Sequence, residues 1–176
     1  GLYVSIQAGE TADAADPYLI ATTAAPDAAV SHHAALQFQG RTYSVWNQVT
    51  FLTLHAIRRF RFGPAEYVPV RPPAALPDMG PGIRQFPSAG GVVRVCTLER
   101  AMVDVLHTPA LGGGWEEIWR SLEMVEFFDL DAVIAYALAL DCALTVARVG
   151  YFLEQHREQL FVEESHLRRL AAGAPN

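Results

Sequence analysis

Along the first hundred residues the hydrophobic positions recur mainly with the period of two that marks strands. Residues 1–7 (GLYVSIQ) read as a short strand, and residues 8–17, rich in Ala, Asp, Gly and Thr and ending in Pro17, as an exposed linker. A new apolar segment begins at Tyr18–Ala21. Ser31 is placed to cap a short helix carrying Ala34, Ala35, Leu36 and Phe38, and Gly40 suits its stop. Aromatic and β-branched residues then predict strands over 43–46 and 49–55. In 57–62, Ile57, Arg59 and Arg61 alternate with Arg58, Phe60 and Phe62. Gly63-Pro64 is a turn signal, and 66–71 returns as a strand. The Pro- and Gly-rich stretch 72–91 reads as a long loop with a short strand near 83–86, followed by a strand over 92–95.

From residue 97 the pattern turns helical. Thr97 is a capping residue for a helix over 98–107. After Gly112-Gly113-Gly114, Trp115, Ile118, Trp119 and Leu122 fall at i, i+3, i+4 and i+7. Asp129 or Asp131 caps a third helix. Asp141 caps a fourth, running to about Gln159, where Gly150 predicts a close helix contact. A last short helix fits 163–172. Strands first and helices afterwards predict an α+β fold: a mainly β N-terminal half with one short helix, and four or five C-terminal helices packed on the sheet. The organisation read from these signals is a strand and linker over 1–17, one domain over 18–162, and a short helix and tail over 163–176.

With 176 residues, 51% hydrophobic and 18% charged, the chain has the size and composition of one globular domain. Its apolar runs fall short of the ~18 residues of a membrane span, so no membrane association is expected. Cys96 and Cys142 form no disulfide framework, and without a basic leader the chain reads as cytoplasmic. Charge is unevenly distributed. All 13 basic residues are arginine; residues 41–100 carry eight of them against three acids, and residues 101–164 carry three against twelve. The middle is therefore +5 and the next segment −9. Arg58, Arg59 and Arg61 are the best candidates for a nucleic-acid or partner contact, since outward arginines bind phosphates through charge-assisted hydrogen bonds. The competing explanation is an edge strand guarded by charge. The acidic total argues against strong DNA binding by this domain alone.

Catalytic and metal patterns do not assemble. There is no P-loop; the triple glycine follows no strand and precedes no lysine. His32 and His33 are neighbours and would not share a helix face, while His55 and His107 are isolated. No GxSxG elbow is present. Asp129-x-Asp131 has the spacing of a metal-binding carboxylate pair, but both sit where a helix N-terminus favours acids. Arg100 and Asp104, at i and i+4, are expected to form a structural ion pair; Arg148 is the other possible partner of Asp104. No catalytic residue, metal site or cofactor is expected.

The ordered set Gly1-Leu2-Tyr3-Val4, Tyr18-Leu19-Ile20-Ala21, Ser31-His32-His33-Ala34-Ala35-Leu36 with Gly40, Leu98-Glu99-Arg100-Ala101 with Asp104, Leu111-Gly112-Gly113 and Ala147-Arg148-Val149-Gly150-Tyr151-Phe152-Leu153-Glu154 resembles the C-terminal region of AbiEi-type antitoxins. These are transcriptional regulators of type IV toxin–antitoxin systems in phage defence, and the resemblance spans about residues 1–160. It implies a winged helix-turn-helix ahead of Gly1 that reads promoter DNA. For this domain it implies a role in antitoxicity and cooperative DNA binding. It also implies a homo-oligomer on DNA, and a nucleotidyltransferase toxin as functional partner without a tight complex. No enzyme activity or cofactor follows from it. The alternatives from the residues alone are an oligomerisation domain, using Trp115, Trp119 and the helix around Gly150, and a nuclease or nucleotidyltransferase relic using Asp129, Asp131 or Asp104.

Overall fold

The computed structural model describes residues 15–76 and 78–175. The strand expected over 1–7 and the motif Gly1-Leu2-Tyr3-Val4 lie outside the described residues. The fold is α+β. In chain order the elements are α1 (Pro17–Thr23), β1 (Ala29–Val30), α2 (His32–Phe38), β2 (Gln48–Leu52), β3 (Phe60–Phe62), β4 (Ala65–Val70), β5 (Ile83–Ser88) and β6 (Gly91–Cys96). The helices α3 (Leu98–His107), α4 (Trp115–Glu123), α5 (Leu130–Ala139), α6 (Ala143–Gln155) and α7 (Glu164–Ala172) follow.

The six strands form one sheet in the order β3-β4-β2-β1-β6-β5. The hairpins β3–β4 and β5–β6 and the pair β1–β2 are antiparallel, whereas β2–β4 and β1–β6 are parallel. The sheet is therefore mixed, with β3 and β5 at its edges. Successive residues of a strand face opposite ways, and Val49, Thr50, Phe51 and Leu52 are all buried, so β2 is covered on both faces. α1 and α2 pack on the sheet. The helical half meets it chiefly through α2, against which α3 packs, with α5 and α6 behind α3. α7 packs on α5 and α6 and buries Leu170 in the same core.

Local chemistry explains most element boundaries. Thr97 accepts from the Arg100 amide at 3.4 Å and Asp129 from the Ala132 amide at 3.0 Å, capping α3 and α5. Gly63 at φ 55° supplies the positive φ that the two-residue β3–β4 turn needs. α1 is a helix that the pattern did not announce: Asp16 accepts from the Tyr18 amide at 2.9 Å, and Pro17 opens the first turn. Residues 43–46 are not a strand. They are a loop held by side chains, with the Trp46 amide on Gln37 Oε1 at 2.7 Å and the Tyr43 amide on Ser121 Oγ at 3.0 Å. Ser31 stands at the start of α2 but makes no cap bond; its hydroxyl lies 2.9 Å from His32 Nδ1. α6 begins after Cys142, not Asp141, and ends at Gln155. A Cβ on Gly150 would meet nothing within 4 Å, so among the described residues no helix makes the expected close contact there.

Candidate nucleic-acid interface

Arg58, Arg59 and Arg61 lie together on and beside β3, and all three are exposed. Alternation along the strand explains their aim. Phe60 stacks on Tyr67 with ring centroids 4.7 Å apart, turning Phe60 and Phe62 toward the core and Arg59 and Arg61 away. Register sets Arg61 opposite Glu66, and Arg59 Nη1 lies 3.6 Å from Glu66 Oε1. Among the described residues, Arg58 and Arg61 have no ion-pair or hydrogen-bond partner. Among the described residues no strand pairs with the outer edge of β3, which brings backbone groups beside these guanidinium groups.

The basic middle of the chain is not one basic face. Arg94 turns inward and donates to the carbonyls of Ala28 and Thr22, both at 2.8 Å, closing the end of α1. Arg100 is buried. Arg41 donates to the Met124 carbonyl at 3.2 Å and Arg71 to that of Leu54. Arg84 sits on β5 at the opposite edge, five strand spacings of about 4.8 Å from β3, or about 24 Å. Of eight arginines, the three of the β3 edge remain clustered and exposed, with Arg59 beside Glu66.

Arg100 and Asp104 form an ion pair in the interior, Nε to Oδ2 at 3.4 Å, with side chains 1% and 2% exposed. Tyr136 donates to Asp104 Oδ1 at 2.8 Å, and Arg100 Nη1 donates to the carbonyls of Met79 and Pro81 at 2.8 and 2.6 Å. Burial, reinforced by the Asp104 charge, pushes the Tyr136 hydroxyl well above its ordinary range. The pair ties the long loop after β4 to α3 and α5. Arg148 takes no part in it and instead donates to the carbonyls of Leu106 and His107 at 2.9 and 3.1 Å.

A second polar knot was not legible as a site. His33 Nε2 donates to Glu117 Oε1 at 3.0 Å, the same oxygen accepts from the Ser44 amide at 3.0 Å and Ser121 at 3.1 Å, and Oε2 accepts from Ser44 Oγ at 2.7 Å. Trp46 stacks on His33 with ring centroids 4.2 Å apart. Burial pushes the Glu117 carboxyl up, but donors from Ser44, His33 and Ser121 outweigh it and hold it below the usual range. Burial lowers His33 more than Glu117 raises it. The lowering favours neutral His33, which meets the carboxylate through Nε2; among the described residues its buried Nδ1 has no partner. His32, fully buried near Asp104, Arg100 and His107, is likewise lowered by burial. Glu117 and Ser121 are at the local spacing i, i+4, but separations of 73 and 84 join Glu117 to Ser44 and His33, so local spacing does not signal the knot as a whole.

The carboxylates considered for metal chemistry are not brought together. Asp129 caps α5, Asp131 pairs with Arg169, and Asp104 is enclosed by Arg100 and Tyr136. Among the described residues no group of three or more His, Cys, Asp or Glu is placed to hold a metal ion. Two of the three glycines are steric in origin: a Cβ at Gly112 would come within 2.7 Å of Ile118 and one at Gly113 within 2.4 Å of the Trp46 ring, whereas Gly114 meets nothing within 4 Å and supplies a φ of 86°. Among the described residues, no helix is long and apolar enough to cross a membrane. The chain matches no family model and no curated protein.

Proposed function

We propose that this chain is the C-terminal effector domain of an AbiEi-like antitoxin and transcriptional repressor in a type IV toxin–antitoxin system. The β3 edge serves as its contact with promoter DNA. The observation that carries the reading is the clustering of exposed Arg58, Arg59 and Arg61 on a strand that is at the sheet edge among the described residues, where two of the three have no ion-pair partner. In this reading, operator sequence is recognised by a winged helix of the longer regulator. The β3 arginines add phosphate contacts, which give register and affinity without reading bases. The functional partner is a nucleotidyltransferase toxin, opposed without a tight complex, and copies associate on DNA. The site has no catalytic role, and the domain works in the cytoplasm. Neutralising Arg58, Arg59 and Arg61 together with glutamine in the full regulator tests the site. Gln is preferred to Glu because an acid at 59 or 61 would face Glu66. Promoter-reporter repression is expected to fall while thermal stability stays unchanged. Unchanged repression and antitoxicity would remove the β3 edge from the function.

A second reading, a purely oligomerising domain, draws on the half-exposed Trp115 at 48% and Tyr151 at 57% beside the unfilled space over Gly150. Sedimentation separates the two: a monomer at high concentration excludes it.

A further inference from the structure

We propose that the groove between α4 and α6 binds a small planar aromatic monoanion, with its ring among Trp115, Trp119 and Tyr151 and its carboxylate on Arg148. The site is distinct from the β3 edge and does not depend on the DNA reading. Its lining is Trp115, Trp119, Ala147, Arg148 and Tyr151, around a cavity volume of about 490 Å³. Small-ligand sites run from roughly 300 to 1,000 Å³ and combine aromatic walls with a few placed polar groups. Here Arg148 is the one charged side chain of the lining.

Trp119 and Tyr151 are in tilted contact at 44° with centroids 5.8 Å apart, so together they form one aromatic wall of the groove. Trp115 and Tyr151 are about half exposed, so their burial by a ring is a gain still available to a ligand. Arg148 is held in place before any ligand arrives. Its Nη1 donates to the Leu106 and His107 carbonyls, and its guanidinium carbon lies 5.1 Å from the Trp115 ring centroid. Its Nε and Nη2 groups make no hydrogen bond among the described residues. A fixed guanidinium with spare donors beside aromatic faces selects a flat anion. One guanidinium is the only charge of the lining, which matches a single carboxylate better than a polyanion.

The test uses 2-naphthoate and its neutral counterpart 2-naphthamide, followed through the tryptophan indole N–H signals in 1H–15N spectra. Trp46 is an internal control, its Nε1 donating to Ser44 Oγ at 2.9 Å away from the groove. Saturable shifts of the Trp115 and Trp119 signals are expected with naphthoate, with Trp46 unmoved. Naphthamide is expected to bind about tenfold more weakly, the scale of one charge-assisted contact. Tyr151→Ala is expected to weaken both ligands, and Arg148→Gln to erase the preference for the acid. Arg148→Gln also loses the α3 carbonyl contacts, so the acid–amide comparison on the unaltered protein remains decisive. Equal affinities, no indole shift at millimolar naphthoate, or indole shifts that follow protein concentration instead of ligand would overturn the proposal. The last outcome would assign the groove to a second copy of the chain.

Discussion

Buried titratable side chains give this protein a defined response to acid. Glu117 titrates below its unfolded value of 4.5 because Ser44, His33 and Ser121 all donate to it. It therefore adds stability above about pH 4.5, lost as pH falls through the lower folded value. His32 and His33 both titrate below their unfolded 6.5 through burial. As pH falls through 6.5 the unfolded chain takes up these protons first, so stability declines from that point. The urea midpoint is expected to be lower at pH 5.5 than at pH 7.5. His32 holds φ 50°, a conformation Asn tolerates, so His32→Asn is expected to flatten this dependence. Midpoints equal at the two pH values would show that neither imidazole is held neutral. The Arg100–Asp104 pair was legible because its spacing is local. The Glu117 knot was not, because its donors come from three separate parts of the chain.

Elements announced themselves where a cap, a turn or a strict period was present. Thr97, Asp129 and Gly63-Pro64 each perform the local job their residue types imply. Asp16-Pro17 carried a helix-start signal too, but the Ala- and Asp-rich stretch before it reads as linker, which hid α1. Residues 43–46 have strand-like composition, yet Gln37 and Ser121 satisfy their backbone with side chains, a tertiary effect that β propensity does not report. Gly150 shows the same limit. Glycine inside a helix suggests crowding, but here its Cβ position is open. Gly150→Ala is therefore expected to stabilise the fold by about 1 kcal/mol, the helix-propensity difference, read as a higher urea midpoint with unchanged slope. A loss of stability would mean that something packs against α6 at that point.

At the scale of the whole molecule, the charge asymmetry is visible in the sequence but its spatial meaning is not. A net +5 over residues 41–100 suggests a broad basic face. Sheet order divides it, sending Arg84 to the far edge, while Arg94 and Arg100 turn inward. What remains is a short stripe at β3, enough for about two or three phosphate contacts. That number sets the expected salt response: with a slope near −0.9 per phosphate, affinity falls roughly 10- to 40-fold between 50 and 200 mM salt. The most direct measurement is titration of this domain into labelled duplex from its own promoter at those two salt concentrations. The unaltered domain is compared with the Arg58→Gln, Arg59→Gln, Arg61→Gln variant. Binding that weakens by that factor with salt, and is lost in the variant, is the result the β3 interface predicts. Absence of binding at 50 mM salt, or binding indifferent to salt and to the three substitutions, would contradict it.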